Sequence, residues 1–230
     1  TAAQSKNESK MITEAIQGKN TPQLIKALIS RMKEQLDVNE DDFPELIKEV
    51  ENYAAGCKDP ASTAVLHSMI AEMYNHYYTM NRWKISQRTD LAGYAPEDIH
   101  EWTSNLFTQK IKEELIASLE PAKLLQDTPV SAFDAILETG KDTPVLRPTL
   151  YDFLAFRALD IAPSTDIYKE LITYLNTQPD KKAAMLANLD YLRFQYTSRY
   201  SEKAREEYRA SLDSLLAIYG NKDYSVEIVE

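Results

Sequence analysis

The sequence predicts an all-α protein, on three observations. Its 230 residues include only five glycines and ten prolines, too few turn residues for the hairpins of a multi-stranded β protein of this length. Apolar residues recur at intervals of three and four along most of the chain, the period of one helix face. Prolines stand where helices would begin, in Thr21-Pro22 and Thr128-Pro129 and at Pro44, Pro60, Pro96 and Pro179. A first-turn proline loses no hydrogen bond there, and a preceding threonine can cap.

Taken in order, Leu24, Ala27, Leu28, Met32 and Leu36 form a stripe after Pro22, and Leu46, Ile47, Val50 and Ala54 form another after Pro44. The two read as a helical hairpin. A long helix from Pro60 to Met80 carries Leu66, Met69, Ile70, Met73, Tyr77 and Met80 on one face. The next carries Ile99, Trp102, Leu106, Phe107, Ile111, Leu115 and Leu119. Between them, RWKISQRTDLAGYA is a connection longer than usual, which marks either a functional loop or a packed irregular segment.

The stretches VSAFDAIL, RPTLYDFLAFRALD, TDIYKELITYL, DKKAAMLANLDYLRFQYTSRY and SEKAREEYRASLDSLLAIYG read as five further helices with short polar joints. In LYDFLAFRALDIA only Asp152, Arg157 and Asp160 are polar, so this helix must be covered on most sides, with Phe153 and Leu154 in the core. Thr149 is placed to cap it, and Asp152 three residues later completes a capping-box-like start. Paired helices at irregular spacing predict one domain over 1–230, with 1–10 a disordered lead-in. Its architecture is a stack of antiparallel helical hairpins, a tetratricopeptide-like solenoid. The strict tetratricopeptide signature is absent, so the repeat is degenerate.

Charge and composition then exclude function classes. A formal charge of -10 repels phosphate backbones and anionic lipid surfaces unless a basic patch overrides it, so no nucleic-acid partner is expected. Cys57 stands alone and permits no internal disulfide. Nowhere do eighteen apolar residues run together, so no membrane span is expected. The start TAAQSKNESK holds no apolar signal core and reads as a trimmed end.

One stretch, MYNHYYTMNRWKISQRT at 73–89, interleaves rings and cations. Such a pattern can hold a nucleic acid by phosphate contacts and base stacking; it also suits a helix end. Packing is the preferred reading. Tyr77 lies on the core stripe, Arg82, Lys84 and Arg88 would offset the negative end of the helix, and Trp83 would anchor the connection. Tyr78, Arg82, Trp83, Lys84 and Arg88 are therefore the candidate interaction or loop-anchoring residues.

Metal ligation could be sought at Glu97 and His100 or at Glu72 and His76, spaced three and four apart. Di-iron bundles need Glu-x-x-His twice, and here the second copy, HExxH and CxxC are all missing. No metal and no cofactor is expected, and Glu97 is read as complementing a helix N-terminus. GxSxG and a glycine-rich phosphate loop are absent, and Cys57 in GCKDP falls at a helix junction. No catalytic residue is assigned and no enzyme is expected.

Three stretches, LHSMIAEMYNHYYTMNRWKISQRT, EDIHEWTSNLFTQKIKEELIASL and RPTLYDFLAFRALDI, resemble in letters, order and spacing the helical N-terminal region of the large alpha-2-macroglobulin-like proteins of Bacteroidetes-type bacteria. RPTLYDFLAFRALD is the most specific, and the likeness runs through most of 20–220. The resemblance implies an excerpt of a longer exported protein, periplasmic or at the cell envelope, whose macroglobulin β-domains follow Glu230. Its partners would be those adjoining domains and, through the full-length protein, proteases. The superfamily's thioester cysteine lies in Cys-x-Glu-Gln; Cys57 is followed by Lys58, Asp59 and Pro60 and is not that cysteine. The function implied is a noncatalytic scaffold or interaction module of a protease-trapping protein. The rival reading is a free-standing helical-repeat receptor that takes peptides or glycans on its concave face.

Overall fold

The computed structural model describes residues 22–23, 25–30, 43–90, 96–137, 146–197, 199 and 201–228. The protein is helical, with no strand among the described residues; one isolated antiparallel bridge joins Pro129 to Thr149. Contacts group the chain into two compact units, 1–140 with 149–157, and 141–148 with 158–230.

In the first unit, residues 22–23 and 25–30 are helical, and Ile25, Ala27 and Leu28 are buried. Leu24, Met32 and Leu36 of the expected stripe, and Thr21 of the expected cap, lie outside the described residues. Helix α1 (Phe43–Gly56) buries Leu46, Ile47, Val50 and Ala54, the stripe read from the sequence. Helix α2 (Pro60–Met80) starts on Asp59, whose carboxylate accepts the Ser62 backbone N–H at 3.0 Å. That cap and Pro60 in the first turn explain why the chain re-enters a helix with only three residues between α1 and α2.

Helix α2 is the hub of this unit, packing against α1, α3 (Arg82–Ser86), α4 (Ser104–Ala117) and α5 (Ala122–Asp127). It therefore buries more than one stripe. Ala64, Ser68 and Ala71 are covered as fully as Leu66 and Met73, and the small residues let neighbouring helices approach closely. Met80, expected on the buried stripe, is instead 58% exposed, because it is the last residue of α2 and lies past its covered length.

The helix expected to run from Ile99 is split: a 3-10 turn covers Ile99–Glu101, and α4 begins at Ser104 under Thr103, whose hydroxyl accepts the Leu106 N–H at 3.4 Å. Glu97 does not serve the helix start; Asp98 does, accepting the His100 N–H at 2.9 Å. Nor does Thr128-Pro129 open an α-helix. Thr128 closes α5, and its carbonyl accepts the Leu150 N–H at 2.8 Å. The bridge to Thr149 holds this backbone extended, so VSAFDAIL manages only a 3-10 turn over Val130–Phe133 and a turn after it.

Helix α6 (Leu150–Ile161) belongs to the first unit through Arg157 and to the second from Ala158. Its predicted start is present. The Thr149 N–H and hydroxyl donate to the Asp152 carboxylate at 3.0 and 2.8 Å, and the Asp152 N–H donates back to the Thr149 hydroxyl at 3.3 Å. Leu150, Tyr151, Leu154, Ala155, Ala158 and Leu159 are buried, as the apolar run required, and so is Asp152. Phe153, expected in the core with Leu154, is only half-buried because its ring lines an open cavity. Asp152→Ala should cost about 0.5 to 2 kcal/mol, the range for a lost cap, read as a shift in the urea midpoint at constant slope; an unchanged midpoint would show the cap to be idle.

The second unit holds α7 (Thr165–Leu175), α8 (Lys182–Thr197), α9 (Glu202–Tyr219) and a 3-10 turn at Asp223–Ile228. Helix α7 packs on α8, α8 on α9, and the final turn on both α8 and α9. The core joins Met185 and Leu189 of α8 to Leu215 and Tyr219 of α9 and to Ile228. Tyr168 of α7 lies against Tyr191 and Phe194, with ring centroids 5.2 and 5.6 Å away.

Candidate functional site

The helix-end cluster at 73–89 divides into packed and presented residues. Tyr74 and Tyr77 are buried, and Tyr78, half-buried, stacks on Phe107 with centroids 5.7 Å apart. Asn81 ends α2, its backbone N–H donating to the Tyr77 carbonyl at 3.1 Å, and α3 follows at once. Arg88 pins the far end, its Nη1 donating to the Trp102 carbonyl at 2.6 Å. Of the five candidates, Tyr78 and Arg88 therefore anchor, whereas Arg82, Trp83 and Lys84 are exposed.

Trp83 was expected to fix the connection, yet it is 77% exposed. The reason lies in helix geometry: residues two apart point about 200° away from each other. Ile85, fully buried, takes the inward direction, which turns Trp83 out. The anchoring indole is that of Trp102, which stacks on Tyr74 at 5.4 Å and 7° and donates from Nε1 to the Pro96 carbonyl at 2.7 Å.

Close by, a chain of polar side chains links three helices. His67 Nδ1 on α2 lies 2.6 Å from Glu114 Oε2 on α4, and Lys110 Nζ lies 2.7 Å from Glu114 Oε1 and 2.9 Å from Glu51 Oε1 on α1. The Tyr74 hydroxyl donates to the same Glu51 oxygen at 3.0 Å. Burial raises the Glu114 carboxyl, but hydrogen bonds from His67 and Lys110 outweigh it and hold the group below its usual range. The ionised carboxylate can only accept, so the proton of the His67 contact sits on Nδ1. Burial lowers Lys110, while its bonds to Glu114 and Glu51 more than offset this and leave it raised. Burial, with the Glu51 charge beside it, pushes the Tyr74 hydroxyl well above its usual range.

Sequence reasoning missed this relay. Only the Lys110–Glu114 pair, four apart on one helix, leaves a local trace.

A cavity of about 360 Å³ opens in the first unit among Val65, Met69, Leu137, Phe153 and Leu154, within the size range of small-molecule pockets. Its polar edge is Ser68, Glu72, His76 and Arg157. Arg157 donates from Nε to Ser68 Oγ at 3.0 Å and pairs through Nη2 with Glu72. His100 Nδ1 lies 2.8 Å from Asp98, whose carboxyl the His100 backbone and ring bonds hold below the usual range. No group of three or more metal-ligating side chains occurs among the described residues. In the second unit, a cleft of about 250 Å³ borders Tyr196 and Tyr208, stacked at 4.8 Å.

Chemically, Glu114 and Glu72 are acceptors held by cations or imidazole, so these carboxylates tie helices together. No helix is long and apolar enough to cross a membrane among the described residues. No protein-family model, no curated protein and no solved structure matches the chain.

Proposed function

We propose that the chain is a noncatalytic helical scaffold and interaction module of an exported alpha-2-macroglobulin-like, protease-trapping protein, located in the periplasm or at the cell envelope and built as stacked helical hairpins. One observation carries the reading. The three stretches that resemble this family are joined to each other by their polar residues: His67 to Glu114, Arg88 to Trp102, and Arg157 to Ser68 and Glu72. Polar residues of all three stretches are thus spent on holding helices in place, as a scaffold requires, and none of these contacts pairs a nucleophile with a base.

In this proposal trapping belongs to β-domains beyond Glu230, and the helical module positions them. The isolated chain should then neither cleave nor inhibit a panel of serine, cysteine and metalloproteases when mixed with them in molar excess. Stoichiometric inhibition by the chain alone would overturn the separation of roles. Reading the same gene beyond Glu230 tests the parentage independently, and a downstream sequence without macroglobulin domains would end it.

A further inference from the structure

Met80 at the end of α2 and Arg82, Trp83 and Lys84 in α3 lie within five residues and are all open to solvent. Met80 is 58% and Trp83 77% exposed, and both cations beside them are exposed. A single open apolar side chain is ordinary, but Met80 and Trp83 lie three residues apart with cations beside them, which makes them a local group.

The backbone that carries them is held from within. Ile85 is fully buried, the Ser86 hydroxyl donates to the Trp83 carbonyl at 2.8 Å, Asn81 closes the preceding turn, and Arg88 is tied to the Trp102 carbonyl. An indole on a backbone already ordered loses little conformational freedom on binding. Tryptophan, methionine and arginine are also the residue types enriched where protein interfaces concentrate their energy.

From this we infer that Met80, Arg82, Trp83 and Lys84 form a docking knob for an acidic protein segment that presents an apolar side chain to the indole. Charge complementarity selects the partner. Two exposed cations flank the apolar tip on a chain of net charge -10, so the knob is a local inversion of the molecule's sign and attracts an acidic surface. The same net charge sets a second copy of the chain against the first, and two cations are few for a polyphosphate strand. The inference deepens the interaction-module reading by naming its surface. Inhibition of proteases by the chain would overturn that reading and leave the knob intact.

The test uses the full chain labelled with nitrogen-15, in which the two tryptophans give two indole N–H resonances. The probe is a synthetic peptide of glutamates around a central Leu-Phe pair. The Trp83 indole should shift saturably while that of Trp102 stays in place. The double change Arg82→Glu with Lys84→Glu should weaken binding at least about tenfold. Trp83→Ala should abolish it with the thermal midpoint held within about 2 °C. An equal response to plain polyglutamate would reduce the knob to bare charge and overturn the proposal. So would response only to phosphatidylglycerol vesicles, sedimentation showing self-association lost on Trp83→Ala, or no saturable shift at all.

Discussion

Phe107→Ala should destabilise the first unit by about 3 to 5 kcal/mol, the range for removing a buried phenylalanine ring. Phe107 is fully buried and stands among four other rings: Trp102 at 5.2 Å, Tyr77 and Tyr78 at 5.7 Å, and Tyr74 at 6.4 Å between centroids. These neighbours are themselves tied down. Tyr74 is bonded to Glu51 and Trp102 to Pro96, so they relax little into the space left behind, and the void keeps most of its cost. Phe107→Leu keeps part of the volume but loses the ring contacts, each worth about 0.5 to 1.5 kcal/mol, and should fall between wild type and alanine. Ile116→Ala, half-exposed on the same helix, should stay within about 0.5 kcal/mol. Urea unfolding followed by near-ultraviolet circular dichroism reports on the packed rings directly. A loss below about 1 kcal/mol for Phe107→Ala would mean that the cluster is not a structural core.

That cluster also shows where sequence reading succeeds and where it stops. Helical period placed Phe107, Ile111 and Leu115 on the inner face of α4, and all three are buried. The capping box of Thr149 and Asp152 was legible because both partners lie within one turn. Trp83 and Trp102 were not separable in the same way: each is an indole near a helix junction, and only the competition with Ile85 for the inward direction decides between them. The relay was hidden for a related reason. His67 and Glu114 are 47 residues apart, and nothing in a local pattern pairs a histidine on one helix with one of the chain's many carboxylates. The 3-10 turns at Ile99–Glu101 and Val130–Phe133 read as α-helix because their letters fit the helical period. The second is preceded by backbone held extended in the Pro129–Thr149 bridge, and the first is followed by an extended Trp102 and a new cap at Thr103, neither of which the period encodes.

Glu114→Ala should cost about 2 to 4 kcal/mol, somewhat under the range for breaking a buried ion pair. The discount has two sources: Lys110 keeps Glu51 as a partner, and side-chain exposures of 27% and 28% leave Lys110 and His67 partly hydrated. The pH dependence gives the sharper check. Glu114 is held below its usual range, so its contribution is complete above about pH 4.3, the unfolded value, and is lost as pH falls through the depressed native value. Lys110 is raised, so its contribution is complete below about pH 10.4 and disappears as pH rises beyond that. Tyr74 is also raised, and its contribution fades above about pH 10, where the unfolded phenol ionises first. The stability gap between wild type and Glu114→Ala should therefore be flat from about pH 5 to 9, narrow below pH 4 as the carboxylate gains a proton in both states, and narrow again in strong base. Urea midpoints measured across that range would show it. A gap that stays constant down to pH 3 would mean the carboxylate's charge contributes nothing and that alanine merely leaves a hole beside Lys110.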